Sequence, residues 1–456
     1  MISEPPMEAS TIRAISLFGL GKLGAPFAAA LAHKGYHVIG VDVDPNKIRS
    51  INEGKAPVYE PGLQELLSLN KERLTATNDY EFAIRNSDIT FIVVPTPSDE
   101  QGGFLLRYVL AACEVIGAAL RRKSVFHLVV LTSTVLPGAT EGEVKPSLER
   151  HSGKRCGVDF GLCYSPEFIA LGSVIRDFLN PDFILIGQSD PHSGEILTKI
   201  YKRVCENDPP IARMNFVNAE LTKLAVNTFV TTKISFANML ARICERLPGA
   251  HVDVVTSALG LDSRIGPKYL QGAIGYGGPC FPRDNIAFTA LARQIGAPAT
   301  LAEATDCFNR EEIHRLTTLV KDKLTPSGTV GILGLSYKPN TDVVEEAQGL
   351  LLAQRLLQEG IPVAVHDPAA MENARRTLSG LGDVRFASSP EECIRQADVA
   401  VLTVPWNHFR HLEPSHLGRR SLPRVLIDCW RLLEKQGFED TVEYIPLGRG
   451  REPAVR

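Results

Sequence analysis

The sequence predicts an α/β protein in three parts: an N-terminal doubly wound sheet, a central region of long helices, and a second, smaller α/β domain. Three observations carry this reading. Short apolar runs alternate with helical patterns from residue 12 to about residue 210, the order that builds a parallel sheet with crossover helices. Between Met214 and Leu247 there is neither Gly nor Pro, which gives a helical stretch of about 50 Å at 1.5 Å per residue. After Pro326-Ser327-Gly328 the strand–helix alternation resumes.

The first elements carry a ligand signal. Ile15 to Phe18 form an apolar run that leads into Gly19-Leu20-Gly21-Lys22-Leu23-Gly24, then an Ala-rich helix ends near Gly35. Val38 to Val41 make the next strand, with Asp42 and Asp44 at its end. A Gly-x-Gly-x-x-Gly that follows a strand, opens a helix and has an acid about 20 residues on is the context of a Rossmann-type dinucleotide site. The glycines let a pyrophosphate approach the helix N-terminus, and Asp42 accepts from the adenosine ribose hydroxyls. Its carboxylate repels a 2′-phosphate, so NAD is expected rather than NADP.

Alternation continues with a strand from Ile89 to Val94, a helix from Val109 to Leu120, and strands from Val125 to Leu131 and from Phe183 to Gly187. Two strand ends carry polar turns, Pro95-Thr96-Pro97-Ser98 and Thr132-Ser133-Thr134. Carboxyl ends of parallel strands line the ligand crevice, so these hydroxyls serve either the nicotinamide end of the cofactor or simple turn caps. In the long central helix, Lys223 and Asn227 stand four apart and share a face. Lys223 lies among Leu221, Leu224, Ala225, Val226 and Phe229, which favours its partial burial. Helices of this length span domains or carry a subunit interface.

The most unusual stretch is Gly275-Tyr276-Gly277-Gly278-Pro279-Cys280-Phe281-Pro282-Arg283-Asp284-Asn285. Three glycines and two prolines surround one cysteine, and an apolar helical pattern (Ile286, Phe288, Leu291) follows. Asp284 is expected at the helix N-cap, which sets Cys280 just ahead of a helix N-terminus. Such a setting lowers a thiol from its free pKa of about 8.5 and favours the nucleophilic thiolate. Beyond the boundary near residue 326 come a strand from Val330 to Leu335, the turn from Ser336 to Asp342, a helix to Gln358, and strands Val363 to His366, Val399 to Val404 and Val425 to Ile427. This is the Rossmann-like second domain. Its Gly331-Ile332-Leu333-Gly334 lacks the fingerprint of the first, so the halves are no sequence repeat.

Composition excludes other classes. A chain of 456 residues, 44% hydrophobic and 22% charged, is an ordinary globular protein of two to four domains. A net charge of −3 gives neither nucleic acid nor a membrane surface a strong attraction. The nine cysteines are scattered with no Cys-x-x-Cys, so neither a disulfide framework nor a metal site is expected. Met1 to Pro6 lacks the basic and apolar regions of a signal peptide. No apolar run approaches the length of about 20 residues that spans a bilayer. A cytoplasmic protein is expected, with residues 1–11 as a flexible tail.

Assembled, these motifs resemble the UDP-glucose/GDP-mannose dehydrogenase family over nearly the whole chain. The matching stretches are Gly19 to Gly24, Glu60-Pro61-Gly62-Leu63, Pro95-Thr96-Pro97, Ser133-Thr134-Val135, Pro166-Glu167-Phe168, Glu220-Leu221-Thr222-Lys223 with Asn227, Arg264-Ile265-Gly266, Gly277 to Asp284, and Lys338-Pro339-Asn340-Thr341-Asp342. The resemblance implies an NAD-dependent, four-electron oxidation of a sugar C6 alcohol to a carboxylate, most like that of UDP-glucose 6-dehydrogenases; the alternatives are a UDP-2-acetamido-sugar 6-dehydrogenase, a two-electron hydroxyacid dehydrogenase and a catalytically impaired nucleotide-sugar-binding protein. Cys280 is then the nucleophile that captures the aldehyde as a thiohemiacetal and carries it through a thioester. Lys223 and Asn227 stabilise the oxyanion at C6, and Asp284 and Thr134 hold the hydrolytic water. Gly19, Gly21, Lys22, Leu23, Gly24, Asp42, Pro95, Thr96 and Thr134 contact NAD. Glu167, Phe168, Lys223, Asn227, Arg264, Tyr269, Gly277 and Lys338 contact the nucleotide sugar, with Arg264 reaching from the second subunit of a homodimer. The implied division is a tail (1–11), an NAD-binding domain (12–212), a central helical dimerisation and catalytic region (213–323) and a nucleotide-sugar-binding domain (324–456).

Two departures from the family pattern touch this chemistry. Where the family has a second glutamate after Pro-Glu-Phe, as the expected base for thioester hydrolysis, this chain has Leu171. Where an arginine is expected after Thr-Asp, it has Glu345.

Overall fold

The computed structural model describes residues 12–395, 397–417, 424–434 and 436–450; the expected tail, 1–11, lies outside them. The chain folds as two compact units that divide between Ala225 and Val226. In the first, eight strands form one sheet: β1 (Ala14–Phe18), β2 (His37–Val41), β3 (Leu74–Thr77), β4 (Ile89–Ile92), β5 (Leu128–Leu131), β6 (Gly161–Tyr164), β7 (Ile184–Gln188) and β8 (Ile211–Met214). Their order is β3-β2-β1-β4-β5-β6-β7-β8, and every pairing is parallel except β6 with β7. Strands β4, β5 and β6 are buried at every residue, as a parallel sheet covered on both faces requires. Ile15 and Leu17 pack with Phe27, Phe91 and Phe178 on one face, while Phe18 and Ile92 pack with Ile116 and Leu162 on the other.

The second unit repeats the plan on a smaller scale. Its strands are β9 (Val330–Leu333), β10 (Val363–His366), β11 (Val384–Phe386), β12 (Val399–Leu402), β13 (Val425–Asp428) and β14 (Glu443–Pro446). They run β11-β10-β9-β12-β13-β14, all parallel. Counted from β1 and from β9, both sheets contain the order 3-2-1-4-5-6 of a Rossmann fold.

The central helix, Phe216–Cys244, belongs to both units. It opens at Phe216, not Met214, because Ile211–Met214 is taken by β8, which pairs with β7. The second unit adds the helices Phe281–Gln294 and Thr300–Lys323 ahead of its sheet. Every expected strand is present, most with ends shifted by one to three residues; β3, β6, β8, β11 and β14 were not expected.

Candidate active site

In the glycine turn the three fingerprint glycines do different work. Gly19 has φ +99°, and a Cβ there would stand 2.5 Å from the Val93 carbonyl oxygen. A Cβ on Gly24 would come within 1.8 Å of the Gly19 carbonyl oxygen. These two are required by packing of strand, turn and helix. Nothing lies within 4 Å of a Cβ built on Gly21, so its bare face is open to a ligand at the N-terminus of the helix Gly24–His33. Lys22 and Leu23 follow, both half-buried.

Asp42, at the end of β2, accepts from Leu20 N at 2.7 Å and from Asp44 N at 2.9 Å, with Lys47 Nζ 3.4 Å away. The turn thus fixes a carboxylate beside its own backbone. An open glycine face and a fixed acid fit the pyrophosphate and ribose of NAD. Of the two readings for the strand-end hydroxyls, the structure supplies cap bonds: Thr96 Oγ1 donates to the Thr134 carbonyl at 2.8 Å, and Ser133 Oγ to that of Val94 at 2.6 Å. They tie the end of β4 to the end of β5, and Pro95 beside them is exposed.

The loop after β6 carries Glu167 and Phe168. Lys223 reaches it from the central helix: Nζ donates to the Glu167 carbonyl at 2.7 Å and stands 4.6 Å from the Phe168 ring centre. At 6% exposure Lys223 is more buried than its sequence context suggested. Burial pushes the Glu167 carboxyl up to about 7, against the opposing pull of the Lys223 ammonium and the Tyr201 hydroxyl. One turn before Lys223, Glu220 accepts from Gly138 N (2.6 Å) and Thr140 N (2.8 Å), anchoring the helix. Glu60 holds the far end of the loop through Gly172 N (2.8 Å) and Val174 N (2.7 Å). Leu171 is half-buried in that stretch and brings no carboxylate to it.

In the second unit, Cys280 is exposed and occupies the N-cap of the helix Phe281–Gln294. The expectation that Asp284 caps this helix is corrected. Pro282, allowed in a first turn because it lacks only an N–H that is unbonded there anyway, lets the helix start at Phe281. Asp284 lies inside the first turn, donating its N–H to the Cys280 carbonyl at 2.8 Å. Its buried carboxylate receives Asn227 Nδ2 at 2.7 Å and the Arg283 guanidinium at 3.2 and 3.3 Å. Asn227 and Asp284 are therefore brought together beside the cysteine turn.

The loop before Cys280 is clamped from several sides. Asn309 accepts from Tyr276 N at 2.7 Å and donates to the Tyr276 carbonyl at 3.0 Å; Asn238 does the same for Ala273 N (2.8 Å) and the Ile274 carbonyl (2.7 Å). A Cβ on Gly277 would meet the Glu346 carbonyl oxygen at 2.1 Å, and Gly278 N donates to the Glu345 carbonyl at 2.9 Å. The Glu345 backbone thus supports the loop, while its side chain is exposed. Sequence reading missed Asn238 and Asn309 as clamps; their only signal is an amide at a buried position of an otherwise helical pattern.

Other expected contact residues are more scattered. Tyr269 is half-exposed with φ +63°, its ring 6.3 Å from that of Phe281. Lys338 is half-buried, its Nζ 6.0 Å from the Tyr337 ring centre. Arg264 is exposed and folds back on Asp262, Nε to Oδ1 at 3.0 Å and Nη2 to Oδ2 at 2.6 Å.

A Rossmann sheet with an NAD-type turn, followed by a cysteine at a helix N-terminus and a second Rossmann-like domain, defines an NAD-dependent dehydrogenase. Models of the UDP-glucose/GDP-mannose dehydrogenase family match along the chain: its NAD binding domain over residues 13–205, its central domain over 217–311 and its UDP binding domain over 331–435. The UDP-glucose 6-dehydrogenase of Haloferax volcanii is 36% identical over 426 residues, covering 92% of this chain and 97% of that protein. The GDP-mannose 6-dehydrogenase of Pseudomonas aeruginosa is 37% identical over 357 residues, 77% of this chain and 80% of its own. A solved UDP-glucose dehydrogenase from Pyrobaculum islandicum superposes with a TM-score of 0.85 at 34% identity, covering 97% of this chain and 99% of that one. The chain belongs to the UDP-glucose/GDP-mannose dehydrogenase family and is an NAD-dependent nucleotide-sugar 6-dehydrogenase. No described helix is long and apolar enough to cross a membrane.

Proposed function

We propose that the substrate is UDP-glucose and that the enzyme oxidises its C6 alcohol to the carboxylate in two stages, through a covalent intermediate on Cys280. The observation that carries this reading is the position of Cys280, exposed at a helix N-cap beside the Asn227–Asp284 pair. NAD would supply the hydride acceptor, one cofactor for each stage. Gly19, Gly21, Lys22, Leu23, Gly24, Asp42, Pro95, Thr96 and Thr134 bind it.

Between the stages the Cys280 sulfur bonds to the aldehyde carbon, which keeps the aldehyde and makes a second hydride available. Lys223 and Asn227 stabilise the oxyanion formed at C6. In the last step water bonds to the thioester carbon, the C–S bond breaks and the Cys280 thiolate leaves. Asp284 and Thr134 hold that water. With Leu171 replacing the family acid, Glu167 takes the water's proton; a carboxyl raised to about 7 suits a base at neutral pH. Phe168, Arg264, Tyr269, Gly277 and Lys338 bind the nucleotide sugar.

Residues 12–212 serve as the NAD-binding domain, 213–323 as the central dimerisation and catalytic region and 324–456 as the nucleotide-sugar-binding domain. The enzyme works as a homodimer. Support comes from a stripe of exposed apolar residues on the central helix and just beyond it, Phe229, Phe236, Met239, Ile243 and Leu247, at the spacing of one helix face. Nine free cysteines suit a reducing cytoplasm.

The test is turnover with NAD on UDP-glucose, UDP-N-acetylglucosamine, UDP-N-acetylmannosamine and GDP-mannose. UDP-glucose is expected to give the highest kcat/KM and two NADH per sugar. One NADH per sugar overturns the covalent mechanism, and a clear preference for another sugar overturns the substrate.

A further inference from the structure

Behind the Glu167 loop lies a short file of hydroxyls. Tyr201, 1% exposed on the helix Pro191–Val204, has its hydroxyl 2.9 Å from Ser165 Oγ and 3.4 Å from Glu167 Oε1. The last is near the outer limit of a hydrogen bond. Ser165 Oγ in turn lies 3.0 Å from the Leu185 carbonyl of β7. Ser165 and Tyr201 thus bring two hydrogens to three contacts.

The carboxyl's charge decides how they are shared. With Glu167 ionised, Ser165 donates to Tyr201 and Tyr201 donates to Glu167. With Glu167 protonated the file runs the other way: Glu167 donates to Tyr201, Tyr201 to Ser165, and Ser165 to the Leu185 carbonyl. Each direction leaves every hydroxyl hydrogen in the file with an acceptor. We propose that Ser165 and Tyr201 are positioning residues that reverse their hydrogen bonds as Glu167 gains and loses a proton. They hold one carboxyl through both halves of its duty in thioester hydrolysis. The proposal rests on the reading of Glu167 as the base, and adds what permits it.

Neighbouring groups leave this to the hydroxyls. Burial holds the Tyr201 hydroxyl well above its ordinary value and pushes the Cys205 thiol up to about 12, so both stay neutral at physiological pH. Lys223, facing Glu167 from the central helix, pulls the Glu167 carboxyl down against its burial. Glu60 is committed to Gly172 N and Val174 N.

Two substitutions in the full-length enzyme shift the Glu167 titration in opposite directions. Tyr201→Phe removes a partner of both forms of Glu167, and because the bond to the ionised carboxylate is the stronger of the two, the pKa rises. Ser165→Ala strands the Tyr201 hydrogen when Glu167 is protonated and so lowers it. About half a unit each way is expected, for a hydrogen bond of this length. The titration is read by NMR of enzyme carrying carbon-13 glutamate, with Glu167→Gln to assign the signal, and beside it as the acid limb of turnover against pH. Shifts in the same direction, or no shift with only a lowered Tm, overturn the proposal. Opposite NMR shifts with an unmoved turnover limb keep the reversal and overturn Glu167 as the base.

Discussion

Cys280 stands apart from the other thiols of the chain by position. Burial pushes the Cys113, Cys156, Cys163, Cys205, Cys244, Cys393 and Cys429 thiols up. Cys307 is exposed too, but in the second turn of the helix Thr300–Lys323 rather than at its N-terminus. Cys280→Ser should therefore stop complete turnover, because a serine hydroxyl is a far weaker nucleophile at neutral pH. At most one slow oxidation is expected, with nucleotide-sugar binding retained. Normal steady-state NADH production by that variant would sink the covalent route. At this scale the sequence was legible where the signal is local. Cys280 among glycines and prolines, or Asp42 after a fingerprint, needs no knowledge of distant residues. Tyr201 and Asn309 were not legible as partners, since their bonds to Glu167 and Tyr276 cross 34 and 33 positions.

The elements that carry the cofactor turn were legible for a similar reason, since strand, glycines and helix follow each other without interruption. Strands β3, β8, β11 and β14 were not. They are short, and Leu74-Thr75-Ala76-Thr77 or Glu443-Tyr444-Ile445-Pro446 mixes polar with apolar residues, so neither a continuous apolar run nor a full alternation announces them. Their pairing with neighbours, not their own pattern, makes them strands. Asp284 misled for a different reason: a good cap residue four places after the true N-cap outweighed a proline that the first turn accepts. The glycine turn gives a sharp test of element against ligand. Gly24→Ala drives a methyl into the Gly19 carbonyl at 1.8 Å and is expected to destabilise by about 3 kcal/mol or to prevent folding. Gly21→Ala meets no protein atom within 4 Å, so its Tm should hold while NAD binding weakens by about tenfold, or about 1.4 kcal/mol. Thermal unfolding and NAD titration of both variants check it; equal losses of Tm would show that Gly21 too is a packing residue.

The two units are versions of one plan that the sequence hides. In the first, Gly19 (φ +99°) and Gly24 bring strand, turn and helix together, and Asp42 accepts from Leu20 N. In the second, Gly334 (φ +105°) lies against Val404, and a Cβ on Gly349 would come within 2.0 Å of the Gly334 carbonyl. There Asp367 accepts from Leu335 N at 2.8 Å. The backbone devices recur, but the spacing does not: the first pair of glycines stands five positions apart and the second pair fifteen. A fixed motif therefore fails to find the repeat. Trp406 Nε1, 3.1 Å from Asp367 Oδ2, further occupies the carboxylate that a ribose takes in a dinucleotide site.

Assembly is the largest scale of the molecule. Phe229, Phe236, Met239, Ile243 and Leu247 expose apolar side chains along one face on and just beyond the central helix, the surface proposed to meet a second copy. Glutamates at Phe236 and Ile243 place charges in the proposed contact and should yield a monomer by sedimentation, with the fold kept because both side chains are substantially exposed. Arg264 links assembly to the chemistry. Its guanidinium, exposed and bonded to Asp262, offers the forked donors that match a pyrophosphate. If it serves the partner's site, Arg264→Ala should raise the KM for sugar while leaving NAD binding almost unchanged. Mixing Arg264→Ala, at a sugar concentration far below its KM, with an inactive Cys280 variant should restore part of the activity, since a hybrid dimer contains one site with both residues intact. No recovery despite demonstrated subunit exchange, or full activity of a dilute monomer, would remove the shared site.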